Sequence, residues 1–172
     1  MTPPIQQFFD LSDLSAAGAD ITVRAKAGEL PALAKWIGVD AMAAFEGRLV
    51  LHKLSQTRFS YEAELEADIV QACVATLDPV RTHIARTFSR TLHLTQGPVS
   101  ARETVLVSPA DDDSPEEIAS TRFDLAGPLI EELTLAVDPY PRAPGVAFEP
   151  PAGDKSPEES PFAVLKQLKT GG

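Results

Sequence analysis

Hydrophobic and polar residues alternate through the middle of the chain and predict long β-strands there. The clearest case lies within residues 58–77, which we interpret as one long strand. Every second side chain of its first half is apolar: Tyr61, Ala63, Leu65, Ala67 and Ile69. The positions between them are acidic: Glu62, Glu64, Glu66 and Asp68. Because successive side chains of a strand point to opposite faces, the segment predicts one buried face and one charged face.

A second alternating segment, residues 80–95, follows the break at Asp78-Pro79 and predicts an antiparallel hairpin with the first. A loop of either two or four residues gives the same register, and proline at the second loop position favours the wider loop. The apolar cross-strand pairs would then be Cys73–Ile84, Ile69–Phe88 and Leu65–Leu92. A slip of one residue would oppose apolar and polar faces, so the pattern supports this hairpin.

Two helices are predicted on either side of this strand region. The first spans Glu29–Val39, with Pro31 in its first turn and Gly38 as its stop. The second spans Asp124–Val137, with Asp124 as N-cap. Further strands are predicted at residues 21–28 and 45–55, the latter ending in a turn at Ser55–Thr57, whereas the acidic segment 108–122 is typical of a loop.

The elements predict an α+β fold with a single domain over residues 1–148. We expect an antiparallel sheet or meander of about five or six strands with the two helices packed on it. Residues 149–172 are interpreted as a Pro-rich linker and a short amphipathic C-terminal peptide, since seven prolines lie between residues 139 and 161. Phe162, Leu165 and Leu168 recur at helical spacing in that peptide, beside Lys166 and Lys169.

Composition and charge restrict the classes of function. The formal net charge is −10, which disfavours general binding to the phosphate backbones of nucleic acids. The single cysteine, Cys73, excludes an internal disulfide and a zinc site made of cysteines alone. We find no signal peptide and no apolar run long enough for a membrane span, and therefore expect a cytoplasmic protein without membrane contacts.

No set of residues in the sequence predicts catalysis. Phosphate-binding glycine loops and the common zinc and serine-hydrolase motifs are missing, and the spacing of His52, His83 and His93 matches no metal-ligand pattern. We therefore expect no catalytic residue, no metal and no cofactor. Cys73 would be a nucleophile only in an exposed, activating environment, and its place on the apolar face favours a buried, structural role.

Arginines make residues 80–102 the best candidate for an RNA-binding surface. This stretch has no acidic residue and carries Arg81, Arg86, Arg90 and Arg102. Arg86 and Arg90 fall on the otherwise apolar face, so the four do not form one stripe. The alternative is that they pair with the acidic residues of the neighbouring strand, which would otherwise form a solvated face.

Three stretches, in the same order as here, also occur in a known family. They are "CVATLDPV" (73–80), "FDLAGPLIEELTLAVDPYPR" (123–142) and "SPFAVLKQLK" (160–169). Together they resemble the YceD family, the large ribosomal RNA subunit accumulation proteins of bacteria and plastids. Many members have a second cysteine where Thr76 stands and another cysteine pair after the Pro-rich exit, consistent with zinc. Because this chain lacks those residues, the resemblance does not imply a metal here.

The resemblance implies a role in large-subunit rRNA accumulation and hence in ribosome assembly. With its negative charge, the protein is expected to bind a basic ribosomal protein or an assembly factor rather than to hold RNA. The predicted contacts are the acidic surface and the C-terminal peptide: Glu131, Glu132, Phe162, Leu165, Lys166 and Lys169. The alternatives are direct rRNA binding through the four arginines and, less favoured, a small hydrolase that uses Cys73 or the carboxylate row.

Overall fold

Five strands form one sheet in the order β2–β3–β4–β5–β6, and both helices contact it in the computed structural model. The structure describes residues 2–95 and 115–146. A separate two-stranded sheet pairs β1 with β7. The element bounds are β1 Phe8–Asp10, β2 Ala19–Arg24, α1 Leu30–Ile37, β3 Ala41–Lys53, β4 Arg58–Ala72, β5 Pro79–Leu94, β6 Glu116–Ile118, β7 Arg122–Asp124 and α2 Ala126–Ala136. The predicted α+β class is confirmed.

Helix α1 forms where the sequence predicted it. Pro31 occupies the first turn, where its missing amide donor costs no hydrogen bond. Gly38 ends the helix in the left-handed conformation with φ 80°, and its amide donates to the Ala34 carbonyl at 3.0 Å. The buried residues Leu33 and Ala34 attach the helix to the sheet.

Strands β3, β4 and β5 form the centre of the sheet. The odd-numbered side chains of β4 are almost fully buried from Phe59 to Gln71, whereas its acidic side chains are exposed. Alternation in the sequence therefore identified both faces correctly. A bulge between Met42 and Ala44 interrupts the pairing of β3 with β4.

The predicted register of the β4–β5 hairpin was wrong by six residues. Strand β4 ends at Ala72, which pairs with Pro79, and Ile84 pairs with Ala67 instead of Cys73. The cause is the position of the loop, which is centred three residues earlier than predicted: Cys73 donates its amide to the Asp78 carbonyl at 2.8 Å, and residues 74–77 lie outside the ladder. Because a shift by an even number of residues keeps every side chain on the same face, the apolar faces still meet, and the predicted assignment of residues to faces remains correct.

Helix α2 packs against the sheet at Gly47. This glycine lies on the buried face of β3, and a side chain there would overlap the side chain of Leu129. The helix begins two residues later than predicted, although Asp124 still serves its N-terminal end. The Asp124 carboxylate accepts hydrogen bonds from the amides of Ala126 at 3.1 Å and Gln7 at 2.9 Å. It thereby joins the N-terminal segment to the start of α2.

Three short strands were missed by the sequence pattern. Strand β6 lies inside the acidic segment that was interpreted as a loop, and it pairs in parallel with Leu92–Leu94 of β5. Strands β1 and β7 pair through Phe9 and Phe123. Strands of three residues carry too little alternation to be recognised, since long-range pairing defines them. The predicted boundary at residues 148 and 149 lies outside the described residues.

Candidate interaction surface

One face of the five-stranded sheet is solvent-exposed, and we call it the open face. Its central row is formed by the exposed carboxylates of β4: Glu62, Glu64, Glu66 and Asp68. The residues beside them in the ladder come from β3 and β5, including Glu46, Arg48, His83 and Thr87. The alternation that buries the opposite face of β4 thus holds these four carboxylates in a row on this one.

Ion pairs neutralise part of the open face. Arg48 donates to Asp20 at 2.6 Å and lies 3.8 Å from Glu64. The Arg48 hydrogen bond lowers the pKa of Asp20, and Asp20 in turn raises the pKa of Arg48. Arg24 donates to Glu46 at 2.8 Å. Such exposed pairs contribute little to stability, but they decide which charges remain available.

Two glutamates keep their charge uncompensated. His83 Nδ1 lies 2.8 Å from Asp68, so that end of the row has a partner. Glu62 and Glu66 have no cationic partner within 4 Å among residues 2–95 and 115–146. Glu66 also pairs in the ladder with Glu46, another carboxylate. The open face therefore has a negatively charged centre that is free to meet a cationic partner.

Three of the four predicted RNA-binding arginines, Arg81, Arg86 and Arg90, do not share one face in the structure. Arg81 lies on the open face, whereas Arg86 and Arg90 lie on the opposite side of β5. Arg81 and Arg86 are exposed, but Arg90 is held by Glu131 at 3.2 Å and by Glu116 at 3.7 Å. Arg102 lies outside the described residues.

Arg90 joins three elements that the sequence alone did not connect. It extends from β5 between Glu116 of β6 and Glu131 of α2 and lies 5.6 Å from the centre of the Phe88 ring. Burial lowers the pKa of Arg90, but the surrounding Tyr61 and glutamates outweigh it and raise that pKa overall. This arrangement engages Glu131, one of the predicted partner-binding residues, in an internal contact.

The other predicted partner-binding residues fall into two groups. Glu132 lies on α2 and is half-buried. The remaining four, Phe162, Leu165, Lys166 and Lys169, lie outside the described residues. Next to Glu131 on α2, the side chain of Leu135 is 79% exposed, which leaves an apolar group beside the helix carboxylates.

Tyr61 is a buried polar residue that sequence reasoning treated only as apolar. Its ring packs edge-on against Phe88, with ring centres 6.2 Å apart, and also contacts Phe123. Its hydroxyl is buried without a hydrogen-bond partner in the described part of the chain, and burial raises its pKa. Tyr61 is the ladder neighbour of Arg90, so an unpaired hydroxyl lies beside the ion pairs that Arg90 forms with Glu116 and Glu131.

Cys73 is buried, as expected, but it lies in the β4–β5 loop rather than in the ladder. The Thr76 side chain and the amides of Ala143, Ala75 and Thr76 surround its sulfur, and together they lower the pKa of the thiol to about 7. The Ala143 amide lies 3.4 Å from Sγ. Within the described ranges, no group of three or more His, Cys, Asp or Glu side chains is arranged to hold a metal ion.

Hydrogen bonds join the β4–β5 loop (residues 73–78, the Cys73 loop) to the segment that follows α2 (residues 138–143, the exit segment). Val74 donates to the Pro141 carbonyl at 2.9 Å, and the Gln71 side chain donates to the Asp138 carbonyl at 2.9 Å. Leu77 has a positive φ of 63° and a side chain that is 78% exposed. Hydrogen bonds to the exit segment therefore fix a loop whose apolar side chains face solvent.

Comparison with known proteins gives one match. A family model described as "Large ribosomal RNA subunit accumulation protein YceD" matches residues 61–169. The match therefore covers more than half of the chain, including most of β4 and all of β5 and α2. No curated protein and no solved structure matches the chain. None of the helices in residues 2–95 and 115–146 is long and apolar enough to cross a membrane.

Proposed function

Because the chain belongs to the YceD family of large ribosomal RNA subunit accumulation proteins, we propose that it is a non-enzymatic ribosome-biogenesis factor. It supports the accumulation of 23S rRNA by binding a basic protein of the growing large subunit, either a ribosomal protein or an assembly factor. We place this role in the cytoplasm, where large subunits are assembled.

The open face carries this proposal. Its central carboxylates, Glu62 and Glu66, have no cationic partner in the described residues. Complementary charge steers partners together and fixes how they dock, and a basic protein supplies the lysines and arginines that this face lacks. Ordered strands hold the carboxylates in place, so binding requires little rearrangement of the backbone.

The acidic residues of α2 and the C-terminal peptide form a second proposed contact. Glu132 supplies negative charge near the exposed side chain of Leu135, and Glu131, which also pairs with Arg90, keeps a side chain that is 65% exposed. The peptide residues in this proposal are Phe162, Leu165, Lys166 and Lys169. An amphipathic helix places its apolar side chains in a groove of a partner, so the pattern of this sequence suits recognition.

A charge-removal experiment tests the open face. The double variant Glu62→Gln and Glu66→Gln retains side-chain shape but loses two charges. We expect it to cofractionate less with large-subunit precursors at low salt and to rescue 23S rRNA poorly in cells that lack the wild-type protein. Asp13→Asn with Asp40→Asn also removes two exposed charges but lies outside the strands, so this double variant is the matched control and should behave as wild type. Unchanged association and rescue by the double variant would refute the role of this face.

Nuclease treatment separates protein partners from RNA. If a protein partner holds the chain on the precursor through the open face, association survives nuclease treatment. If rRNA is contacted directly, nuclease releases the protein and binding falls steeply with salt. The second result would transfer the function to the arginines of β5.

A further inference from the structure

The outer edge of β5 is long and, among residues 2–95 and 115–146, almost unpaired. Strand β4 occupies one side of β5 along nearly its whole length, but on the other side β6 pairs only with Leu92–Leu94. From Pro79 to Thr91, nothing in the described parts of the chain pairs with that edge. An open edge presents a row of backbone donors and acceptors and is a natural site for adding a strand.

Two hydrogen bonds establish which residues of β5 face outward. Leu94 donates to the Thr57 carbonyl at 2.7 Å, and the Asp78 carbonyl accepts from Cys73 at 2.8 Å, so even-numbered residues bond toward β4. Thr95, an odd-numbered residue, donates the other way, to Ile118 at 3.0 Å. The odd-numbered residues of the strand therefore direct their N–H and C=O groups to the open edge: Arg81, His83, Ala85, Thr87 and Ser89.

The edge carries accessible side chains, and two of them, Arg81 and Arg86, are positively charged. Ala85, Arg86 and Thr87 are consecutive and all exposed, so both sides of the strand are open at its middle. Arg81 and Arg86 form no ion pair with any described residue, and they lie on opposite faces of β5. No acidic residue occurs from Val80 to Arg102. An incoming strand would meet cations on both of its faces.

Charge also decides between two kinds of incoming strand. Antiparallel pairing of this edge with a second copy would place an arginine-bearing strand without acids against itself, which is unfavourable for like charges. A strand that carries carboxylates complements Arg81 and Arg86. We propose that the Arg81–Ser89 edge binds an extended acidic segment of a partner protein as an additional strand of the sheet. This site is separate from the Glu62 and Glu66 contact and does not depend on it.

A backbone variant tests the strand addition directly. The full chain is titrated with a synthetic ten-residue peptide in which pairs of valines alternate with pairs of glutamates, so that carboxylates lie on both faces of the added strand. Thr87→Pro removes an amide that faces the open edge and leaves the pairing with β4 intact, as proline on an edge strand allows. We expect this variant to weaken binding at least about tenfold. The proline removes one backbone hydrogen bond to the peptide and disturbs the alignment of the hydrogen bonds on either side of it. Thr87→Ala, which keeps the amide, should bind within about twofold of wild type by the same reasoning.

A charge variant and an RNA probe complete the test. Arg81→Glu with Arg86→Glu should also weaken peptide binding at least about tenfold, because hydrogen-bonded charge pairs are lost. Thermal unfolding of every variant verifies that the fold is retained. If a single-stranded RNA probe binds instead, and binds Thr87→Pro as well as wild type, the arginines serve nucleic acid and the proposal is overturned.

Hydrogen exchange on the free full-length chain examines whether the edge is vacant. We expect fast exchange of the amides of His83, Ala85 and Thr87, and protection when the peptide is added. Protection without peptide in a monomer would mean that the chain covers its own edge, and concentration-dependent protection would mean that a second copy does. Either result would overturn the proposal, as would peptide binding that Thr87→Pro leaves unchanged.

Discussion

Leu129 of α2 occupies the space that a side chain at Gly47 of β3 would need. The helix can approach the sheet this closely only because Gly47 has no side chain. We predict that Gly47→Ala lowers the free energy of unfolding by about 1–3 kcal/mol, the usual cost of overpacking. Chemical denaturation measures it. Gly28→Ala is the control, because an added Cβ there meets nothing within 4 Å, and an equal loss in both variants would contradict the packing argument.

Arg90 is expected to be energetically coupled to Glu131, since the two groups lie 3.2 Å apart and Arg90 is only 30% exposed. A double-mutant cycle with Arg90→Ala and Glu131→Ala should give a coupling of about 0.5–1 kcal/mol, the range for partly exposed pairs. Arg86→Ala is the control on the same face of β5, and its stability should stay within about 0.5 kcal/mol of wild type. A coupling of zero would show that the contact contributes nothing in solution.

The unpartnered hydroxyl of Tyr61 predicts an uncommon result for a buried residue. A buried polar group without a partner costs free energy, so Tyr61→Phe should leave stability unchanged or raise it by about 1 kcal/mol. Thermal and denaturant unfolding would test this, with the exposed Tyr140→Phe as a neutral control. A clear loss of stability in Tyr61→Phe would mean that the hydroxyl is hydrogen-bonded in solution, for example to a buried water.

Cys73 gives a prediction about pH. Its thiol pKa is lowered from the ordinary value of 9.0 to about 7, mainly by the Thr76 side chain and by backbone amides. A lowered pKa means that the folded state favours the thiolate. Its contribution to stability is therefore complete above pH 9.0 and is lost as pH falls through about 7. The free energy of unfolding of the wild-type protein, relative to that of Cys73→Ala, should therefore increase as the pH rises from about 7 to 9.0.

Ultraviolet titration of the thiolate measures the Cys73 pKa independently. Thr76→Val removes the largest cause of the shift and should move the pKa back toward 9.0. An exposed substitution on the same loop, Ala75→Ser, retains the Thr76 contact and should titrate as wild type. A wild-type pKa near 9.0, or a flat stability difference over this range, would contradict the predicted thiolate environment.

Local pattern and long-range pairing explain what the sequence could and could not predict. The alternation of Tyr61 to Asp68 identified the buried and charged faces, and Pro31 with Gly38 identified α1. The predicted register was wrong because hydrogen bonds to Asp78 and to the exit segment fix the position of the Cys73 loop. Neither bond can be predicted from the local sequence pattern. The contacts of Arg90 were missed for the same reason, since its partners lie on β6 and α2.

The candidate interaction surface was predictable in part. The acidic row follows from period-two spacing, so its exposure was foreseeable. Which members of the row stay uncompensated was not, because Arg48 and His83 approach it only after strands far apart in the chain pair. The open edge of β5 depends on the strand order and on the short length of β6, and both are properties of the whole sheet.

The strict alternation along β4 has an evolutionary consequence. Odd-numbered positions are constrained by volume, because each fills part of a packed interior, whereas even-numbered positions are constrained only by what they meet in solvent. A lineage can therefore change the charge of the open face one residue at a time without altering how the chain folds. Binding preference and stability can drift separately on the same fifteen-residue strand.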